Sequence, residues 1–173
     1  MNMTTFSIRP ARQGDEAEVL RLNEGEERWT SHLNHARLAE LAAIATYYRV
    51  ACIENQVVGF LLGMHDHCIY VNENFQWFKD RFENFFYIDR IVVDTAHAGK
   101  GLGRAIYSDA FRLALSTGAD VAVCEYTANP LNEPSKHFHA NMGFKEVGRR
   151  ELAGSDKAVS MQRLNLAGAI ELE

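Results

Sequence analysis

Three glycines at alternate positions, Gly99, Gly101 and Gly103, separate an apolar run from an amphipathic stretch. The run Phe85–Val93 is typical of a buried strand. From Leu102 to about Thr117, apolar residues recur at steps of four, four and three, which predicts a helix with one buried face. Glycines allow a close backbone approach to a ligand, and a helix start adds N–H donors and a positive dipole end. The segment therefore predicts an anion site suited to a phosphate or pyrophosphate.

Other glycine motifs would use such a loop differently. A dinucleotide-binding fold carries G-x-G-x-x-G early in a βαβ unit, and a P-loop requires G-x-x-x-x-G-K-[ST]. Here the spacing is G-x-G-x-G, near residue 100 and after a predicted hairpin. This argues against a dinucleotide-dependent oxidoreductase. Two interpretations stay open: a phosphate site with added charge from Lys100 and Arg104, or a glycine-rich connection without a ligand.

Composition narrows the class of protein. The chain has 173 residues, 47% of them hydrophobic, which is enough for the core of one domain. A net charge of −5 leaves no basic surplus for a nucleic-acid partner. Cys52, Cys68 and Cys124 form no CxxC pair, so we predict neither disulfides nor a zinc knuckle, and we expect Cys52 and Cys124 to be buried. No apolar stretch approaches the ~20 residues that span a bilayer and no signal segment is visible, so we expect a cytoplasmic protein without membrane contact.

The remaining pattern predicts one α+β domain at residues 1–166 with a tail at 167–173. We expect a mixed, mostly antiparallel sheet of about seven strands flanked by about four helices. Residues 65–83, rich in aromatics, are expected to be irregular. The other predicted elements are a strand at 6–9, helices from Gly14 and at 33–47, a hairpin of 48–53 with 57–64, a strand at 121–126, a helix capped by Ser135 and reaching Met142, and strands at 144–150 and 159–164.

Several segments together resemble the GNAT (general N-acyltransferase) superfamily. Tyr87-Ile-Asp-Arg-Ile-Val-Val-Asp-Thr-Ala-His-Ala-Gly-Lys-Gly-Leu-Gly-Arg-Ala is similar to the family's acyl-CoA-binding segment. Downstream, Asn132-x-x-Ser135-x-x-Phe138-His139-x-x-x-Gly143-Phe144 resembles the family's Asn-x-x-Ala/Ser…Tyr-x-x-x-Gly-Phe helix. The opening Ile8-Arg9-Pro10-Ala11…Asp15 is similar to its first strand and helix start. The resemblance covers roughly residues 5–165 and implies a single-domain GNAT-like fold with splayed central strands.

The resemblance also implies a cofactor, acetyl-CoA, and residues that hold it. The backbone of Ile91, Val92 and Val93 would pair with the pantetheine arm, and Asn132 and Ser135 would contact the cofactor from the other side of the splayed strands. No metal is implied. The pyrophosphate would be held by Ala98, Gly99, Lys100, Gly101, Leu102, Gly103 and Arg104.

The chain departs from the family pattern twice. The Gln or Arg that begins the family's loop is Ala98 here, so binding would rely more on backbone N–H groups. The family's usual tyrosine, the proton donor to the leaving thiolate, corresponds to His139. Its imidazole could protonate the sulfur near neutral pH. The alternative is a helix histidine packed beside Phe138 and Phe144.

Two carboxylates are candidate bases for the attacking amine. Asp89 shares a strand face with Tyr87, Ile91 and Val93 by alternation. Its alternative role is an ion pair with neighbouring Arg90. Glu125 is the second candidate, at a strand end.

Aromatic residues are expected to build the acceptor site. Aromatic side chains suit an apolar or cationic acceptor. We expect the acceptor site to be formed by Trp29, Tyr70, Trp77 and Tyr87. His65 and His67 alternate onto one face, but without a third ligand we interpret them as partly exposed polar residues and predict no metal.

The sequence therefore predicts an N-acetyltransferase that moves an acetyl group from acetyl-CoA to a primary amine by direct attack on the thioester. The acceptor would be a small-molecule amine or a peptide. Strands of the last hairpin could pair in a homodimer. The alternative function is a non-catalytic acyl-CoA-binding sensor or interaction module on the same fold.

Overall fold

The computed structural model describes residues 5–169, in which seven strands and six α-helices follow one another. No helix among these residues has the length and apolar character needed to cross a membrane. The elements are β1 Ser7–Pro10, α1 Glu16–Gly25, α2 His35–Ile44, β2 Tyr47–Ile53, β3 Gln56–His65, α3 Glu73–Lys79, β4 Phe85–Val93, a 3-10 helix Thr95–His97, α4 Leu102–Ser116, β5 Val121–Asn129, α5 Glu133–Asn141, β6 Lys145–Glu151, β7 Ala158–Asn165 and α6 Leu166–Ala169.

The strands form one mixed sheet in the order β1-β2-β3-β4-β5-β7-β6. Neighbours β1/β2, β2/β3, β5/β7 and β6/β7 are antiparallel, and β4 and β5 are parallel. The parallel register runs only from Phe85–Val121 to Tyr87–Val123, although both strands have nine residues. The predicted α+β class, with a mixed, mostly antiparallel sheet of seven strands, is confirmed, and six α-helices accompany it where about four were predicted.

Contacts within the fold group the chain into two compact units. The first unit contains the residues up to Met64 together with Ile88–Leu113, and the second contains His65–Tyr87 together with the residues from Ala114 onwards.

The first unit is built around the β2–β3 hairpin. Glu54 and Asn55 both have positive φ, 49° and 69°, which is the backbone of a two-residue hairpin turn and confirms the predicted hairpin. The hairpin's inner side chains are fully buried, as are those of one face of α4. At Gly59, an added Cβ would lie 3.0 Å from the carbonyl oxygen of Val92, so only glycine lets β3 approach β4 this closely.

The second unit contains a helix where the sequence predicted an irregular segment. The side chain of Asn72 accepts hydrogen bonds from the amides of Asn74 and Phe75, at 2.9 and 3.0 Å, and so caps α3. Phe75 and Phe78, three residues apart, are fully buried on one face of this helix. The expectation of an irregular segment at 65–83 was therefore wrong for its central part, because about two turns of helix show too little apolar periodicity to be recognised among so many aromatics.

The end of the chain differs from the prediction in three further places. β5 continues to Asn129 instead of ending at Tyr126. The N-cap of α5 is Asn132, whose side chain accepts from the amide of Ser135 at 3.2 Å, so Ser135 is the capped residue and not the cap. A short helix, α6, crosses the predicted boundary at 166/167, and buried Leu166 donates its amide to Asp120 at 3.0 Å. The end of the predicted tail, residues 170–173, lies outside the described residues.

Candidate active site

The glycine loop has the backbone conformation that glycine alone adopts without strain. Gly99 and Gly101 have φ values of +74° and +80°. A Cβ added at either position would meet no atom within 4 Å. The loop therefore requires glycine for its conformation, and open space lies beside both residues. A ligand can approach this backbone directly.

Helix α4 begins immediately after these glycines. Leu102 is buried, and the amide of Ala105 donates to the carbonyl of Gly101 at 3.0 Å, which is the first turn of the helix. The amides before that turn have no intrahelical acceptor, as at every helix start. Together with the dipole of a helix 15 residues long, they suit an anion such as a pyrophosphate. The predicted residues Ala98 to Arg104 thus fit the group that the family resemblance assigns to them.

The two cations of the loop behave differently. Lys100 folds back onto the preceding 3-10 helix, with its Nζ 3.3 Å from the carbonyl of Ala96 and 3.0 Å from Nδ1 of His97. Arg104 is exposed on the first turn of α4. Arg104 is therefore the better placed of the two to meet a phosphate.

The end of β4 is held firmly before the loop. Val92 is buried, whereas Ile91 and Val93 are half-buried. The amide of Asp94 donates to the carbonyl of Val58 at 2.8 Å. The Asp94 carboxylate accepts from the amide of Ala96, and this hydrogen bond, helped by Arg21, lowers the pKa of the carboxyl. The pairing of Ile91–Val93 with a pantetheine arm stays a prediction.

Asp89 is part of a buried ion pair. Its Oδ2 accepts from Nε of Arg90 at 2.8 Å, and the two side chains are 3% and 5% exposed. The guanidinium of Arg90 also donates to the side chain of Asn23 at 2.8 Å and to Oγ of Ser31 at 2.9 Å. This geometry favours the ion-pair alternative for Asp89 over a catalytic base, because its carboxylate is already bonded to a buried cation.

Trp29 belongs to the same segment that Arg90 holds. It is half-buried, and the guanidinium carbon of Arg28 lies 4.6 Å from its ring centroid. The predicted contact of Trp29 with an acceptor stays a prediction.

In the second unit, Glu125 is held by donors from two other elements. Its Oε1 accepts from Nδ2 of Asn74 at 2.8 Å and from the hydroxyl of Tyr87 at 2.8 Å. Oδ1 of Asn74 in turn accepts from Nη1 of Arg150. On its Oε1, Glu125 therefore has two neutral donors, whereas Asp89 is bonded directly to the cation of Arg90.

The aromatic residues predicted to bind the acceptor belong mostly to the core. Tyr70 and Tyr87 are 4% and 1% exposed. Ring centroids of Tyr70 and Tyr87 lie 6.3 Å apart, and Phe75 lies 5.5 and 5.4 Å from them. Their burial makes them structural in the first place. The Tyr87 hydroxyl donates to Glu125, and the Tyr70 hydroxyl accepts from Nδ2 of Asn72 at 3.4 Å.

Trp77 lies at a surface pocket of about 440 Å³. Its indole packs on β6 at Gly148, and the guanidinium of Arg81 lies 4.1 Å from the ring centroid. The same pocket is lined by Arg150, which connects it to the hydrogen bonds of Glu125. The other lining residues are Val71, Asn72, Glu73, Gln76, Asp80 and Arg81.

His139 is packed inside the second unit. It is 4% exposed and lies between the rings of Tyr126, Phe138 and Phe144, at centroid distances of 5.2 to 6.0 Å. Its Nδ1 donates to the carbonyl of Ser135 at 2.7 Å. Burial lowers the pKa of His139, against the opposing effect of that hydrogen bond, so the neutral imidazole is favoured. These observations favour the packing alternative over a proton donor.

Asn132 and Ser135 have structural partners on their own helix. Asn132 is 8% exposed and caps α5, and Ser135 carries the carbonyl that accepts from His139. The capping hydrogen bond explains why an asparagine, Asn132, stands three residues before Ser135. Their contact with a cofactor stays a prediction.

Of the two histidines, His65 at the end of β3 differs from the expectation, whereas His67 is exposed. His65 is 3% exposed, with Nε2 2.6 Å from the hydroxyl of Thr117, so it is buried and not partly exposed. The sequence offered no third ligand, but potential ligand atoms of His65, Asp66 and His67 all lie within 4.8 Å of one another. The Asp66 carboxylate accepts from the amide of Asn84 at 2.8 Å. The hydrogen bonds of His65 to Thr117 and of the Asp66 carboxylate to the Asn84 amide explain why these side chains lie close together. We interpret the group as structural.

In this fold a central strand of a mixed sheet, β4, leads through the glycine loop into helix α4. The sequence model of the Acetyltransferase (GNAT) family matches residues 15–144. The chain belongs to this family of acetyltransferases. No curated protein matches it.

Solved structures show the same fold at low sequence identity. The smu.2055 protein from Streptococcus mutans is 18% identical, with a TM-score of 0.73 over 92% of this chain and 99% of that one. An N-acetyltransferase from Staphylococcus aureus is 19% identical, with a TM-score of 0.72 over 94% and 99%. The yncA protein from Salmonella typhimurium, a putative acetyltransferase solved with its cofactor acetyl-CoA, is 22% identical, with a TM-score of 0.70 over 94% of each chain.

Asn74 and Arg150 were not among the predicted site residues. Asn74 lies 51 positions from Glu125, and Arg150 lies 76 positions from Asn74. No local pattern relates residues so far apart. The only sequence signal was the polar residues interleaved with aromatics around position 74.

Proposed function

We propose that this chain is an N-acetyltransferase that uses acetyl-CoA to acetylate a primary amine by direct attack on the thioester. The observation that carries the proposal is the glycine loop at the start of α4, with Gly99 and Gly101 in the left-handed region and open space beside both. Such a backbone suits a pyrophosphate. Membership of the acetyltransferase family supports acetyl-CoA as its source.

On the cofactor side, the amides from Ala98 to Arg104 hold the pyrophosphate, and Arg104 adds a positive charge. The backbone of Ile91–Val93 pairs with the pantetheine arm. The similar yncA structure contains acetyl-CoA, and the similar Staphylococcus aureus protein is an N-acetyltransferase, which supports both the cofactor and the amine acceptor. Acetyl-CoA supplies the activated acetyl group.

On the acceptor side, Glu125 removes a proton from the ammonium form of the acceptor. The neutral nitrogen then forms the bond to the acetyl carbon, and the carbon–sulfur bond breaks. The products are the N-acetyl amide, CoA with a free thiol, and one proton released to solvent. Glu125 suits the base better than Asp89, because Asp89 is committed to Arg90.

The acceptor is the primary amine of a small molecule or a peptide. Its surroundings in the second unit combine Trp77 with the carboxylates Glu73 and Asp80. An aromatic residue beside carboxylates suits an amine-bearing ligand.

A second candidate function is an acyl-CoA-binding module without turnover. The environment of His139 favours it: the residue in the place of the family's tyrosine is buried, donates to Ser135 and prefers the neutral form. A protein without a proton donor to the thiolate could retain binding and lose catalysis.

Calorimetric titration with CoA and thiol release from acetyl-CoA across amines and peptides test the proposal. We expect saturable CoA binding, no binding of NAD, and free thiol with at least one acceptor. Glu125→Gln, which keeps an oxygen for the Asn74 donor, should lower kcat about 100-fold or more, while the exposed control Glu133→Gln should not. CoA binding without thiol release from any acceptor would support the binding module instead. Binding of NAD in place of CoA would contradict both functions.

A further inference from the structure

Glu125 receives two hydrogen bonds on a single oxygen from rigid surroundings. Tyr87 donates from β4, where its ring is 1% exposed, and Asn74 donates from α3. Both donor–acceptor distances are 2.8 Å. Two donors on Oε1 fix the plane and the direction of the carboxylate, which a flexible glutamate side chain does not achieve alone.

The amide of Asn74 is itself oriented by Arg150. An asparagine amide has one accepting end and one donating end, and a guanidinium only donates. Because Nη1 of Arg150 bonds to Oδ1 of Asn74, the NH₂ end must point the other way, toward Glu125. The other guanidinium nitrogen, Nη2, bonds to Glu73 at 2.7 Å, so Arg150 is held at two points.

Arg150 differs in this respect from its neighbour on β6. The Arg150 side chain is 19% exposed and bonds to residues more than 70 positions away. Arg149 is 69% exposed and bonds to Glu146, three residues away. The two adjacent arginines therefore form a matched pair for experiment.

We propose that Asn74 and Arg150 are positioning residues for the proton-accepting carboxylate of Glu125. Arg150 sets the orientation of the Asn74 amide, and the amide sets the orientation of the carboxylate. The proposal rests on the proposed function, in which Glu125 is the base. The titratable or charged side chains in this hydrogen-bonded network, besides Glu125, are Arg150, Glu73 and Tyr87. The buried thiol of Cys124 belongs to the residue that precedes Glu125 in the sequence.

Two readouts test the proposal in the full chain. The first is ¹³C NMR of the Glu125 carboxyl against pH, which needs no acceptor. Loss of a donor disfavours the charged carboxylate, so Asn74→Ala should move its titration to higher pH. Asn74→Asp should move it further, and Arg150→Gln should move it in the same direction by less. Arg149→Gln should leave it unchanged.

The second readout is acetyl transfer to the amine that gives the highest rate in the panel. We expect Asn74→Ala and Arg150→Gln to lower kcat about 10- to 100-fold with little change in the KM for acetyl-CoA, as for a misplaced catalytic group. Arg150→Lys, which keeps the charge but not the two-point hold, should recover part of the loss. Melting temperatures and CoA titrations identify variants that merely unfold.

The outcomes separate the two proposals. If Glu125→Gln abolishes turnover while Asn74→Ala and Arg150→Gln keep full kcat and an unmoved Glu125 titration, the positioning role is refuted and the base role stands. If Glu125→Gln keeps full turnover, the base role fails. The NMR titration still reports in that case whether Asn74 and Arg150 act on the carboxylate.

Discussion

The indole of Trp77 lies directly against the backbone of Gly148. A Cβ added at position 148 would stand 2.6 Å from Cζ2 and 2.8 Å from Cη2 of that ring. The strand register of β6 on β7 is irregular at the same place, between Glu146 and Gly148. The absence of a side chain at 148 is therefore what allows α3 to cover β6 with Trp77.

Gly148→Ala should displace Trp77. Contacts this short force the ring or the strand to move, and overpacking of this kind costs roughly 1–3 kcal/mol. We expect a lower melting temperature and a changed fluorescence of Trp77, measured in a Trp29→Phe background. Gly25→Ala is the matched control, since a Cβ there meets nothing within 4 Å and lies in helix α1. Equal stability of the two variants would contradict the packing described.

Gly101→Ala should weaken CoA binding. Alanine at a φ of +80° is strained by about 1 kcal/mol or more, which corresponds to roughly a five- to tenfold loss of affinity if the bound loop keeps this conformation. Gly101→Asn should lose less, because asparagine tolerates the left-handed region. Gly154→Ala, with a φ of +74° in the turn between β6 and β7, carries similar strain and should leave CoA affinity unchanged in a calorimetric titration.

Arg90→Met should destabilise the protein strongly. It leaves Asp89 buried without its cation and removes the donors to Asn23 and Ser31, a loss of about 3–5 kcal/mol in the free energy of unfolding. The double variant Asp89→Leu/Arg90→Met should regain part of that stability in urea unfolding. For comparison, Arg37→Met breaks an exposed pair with Glu40 and should cost less than about 1 kcal/mol.

His139 should make stability depend on pH near neutrality. Burial lowers its pKa in the folded chain below the ordinary value of ~6.5, so the unfolded chain binds more protons between the two values. The contribution of neutral, buried His139 to the free energy of unfolding is fully present above pH ~6.5, and it is lost as the pH falls from there through the lowered pKa of the folded chain. His65, with a pKa also lowered by burial, acts in the same direction.

The variant His139→Phe isolates this contribution. Its free energy of unfolding should fall less between pH 7.5 and pH 5.5 than that of the unmodified chain. The control His137→Phe, at a side chain 71% exposed, should retain the original pH dependence. An identical slope for all three proteins would show that His139 titrates normally in the folded state.

Sequence reasoning succeeded where the determining interactions are local. The glycine loop and α4 follow from neighbouring residues, and the β2–β3 turn follows from Glu54-Asn55, so these elements were predictable. The partners of Arg90 were not, since Asn23 and Ser31 lie 67 and 59 positions away. The hydrogen-bond partners of Glu125 could not be predicted for the same reason, since Asn74 and Tyr87 lie 51 and 38 positions away. An ion pair of Asp89 with Arg90 could be suggested from the sequence because the two residues are adjacent. Their burial in the structure is what favours the ion pair over a catalytic base.

The aromatic cluster around Tyr87 restricts how this protein can acquire a new specificity. The rings of Tyr70, Phe75 and Tyr87 are buried in the core of their unit, and Tyr87 is also the residue that bonds to Glu125. Any substitution that changes the shape of this cluster therefore also destabilises the folded unit. Under the proposed function, adaptation to a different acceptor is therefore directed to the exposed residues Val71, Gln76 and Arg81 of the Trp77 pocket, where side chains can change without emptying the core.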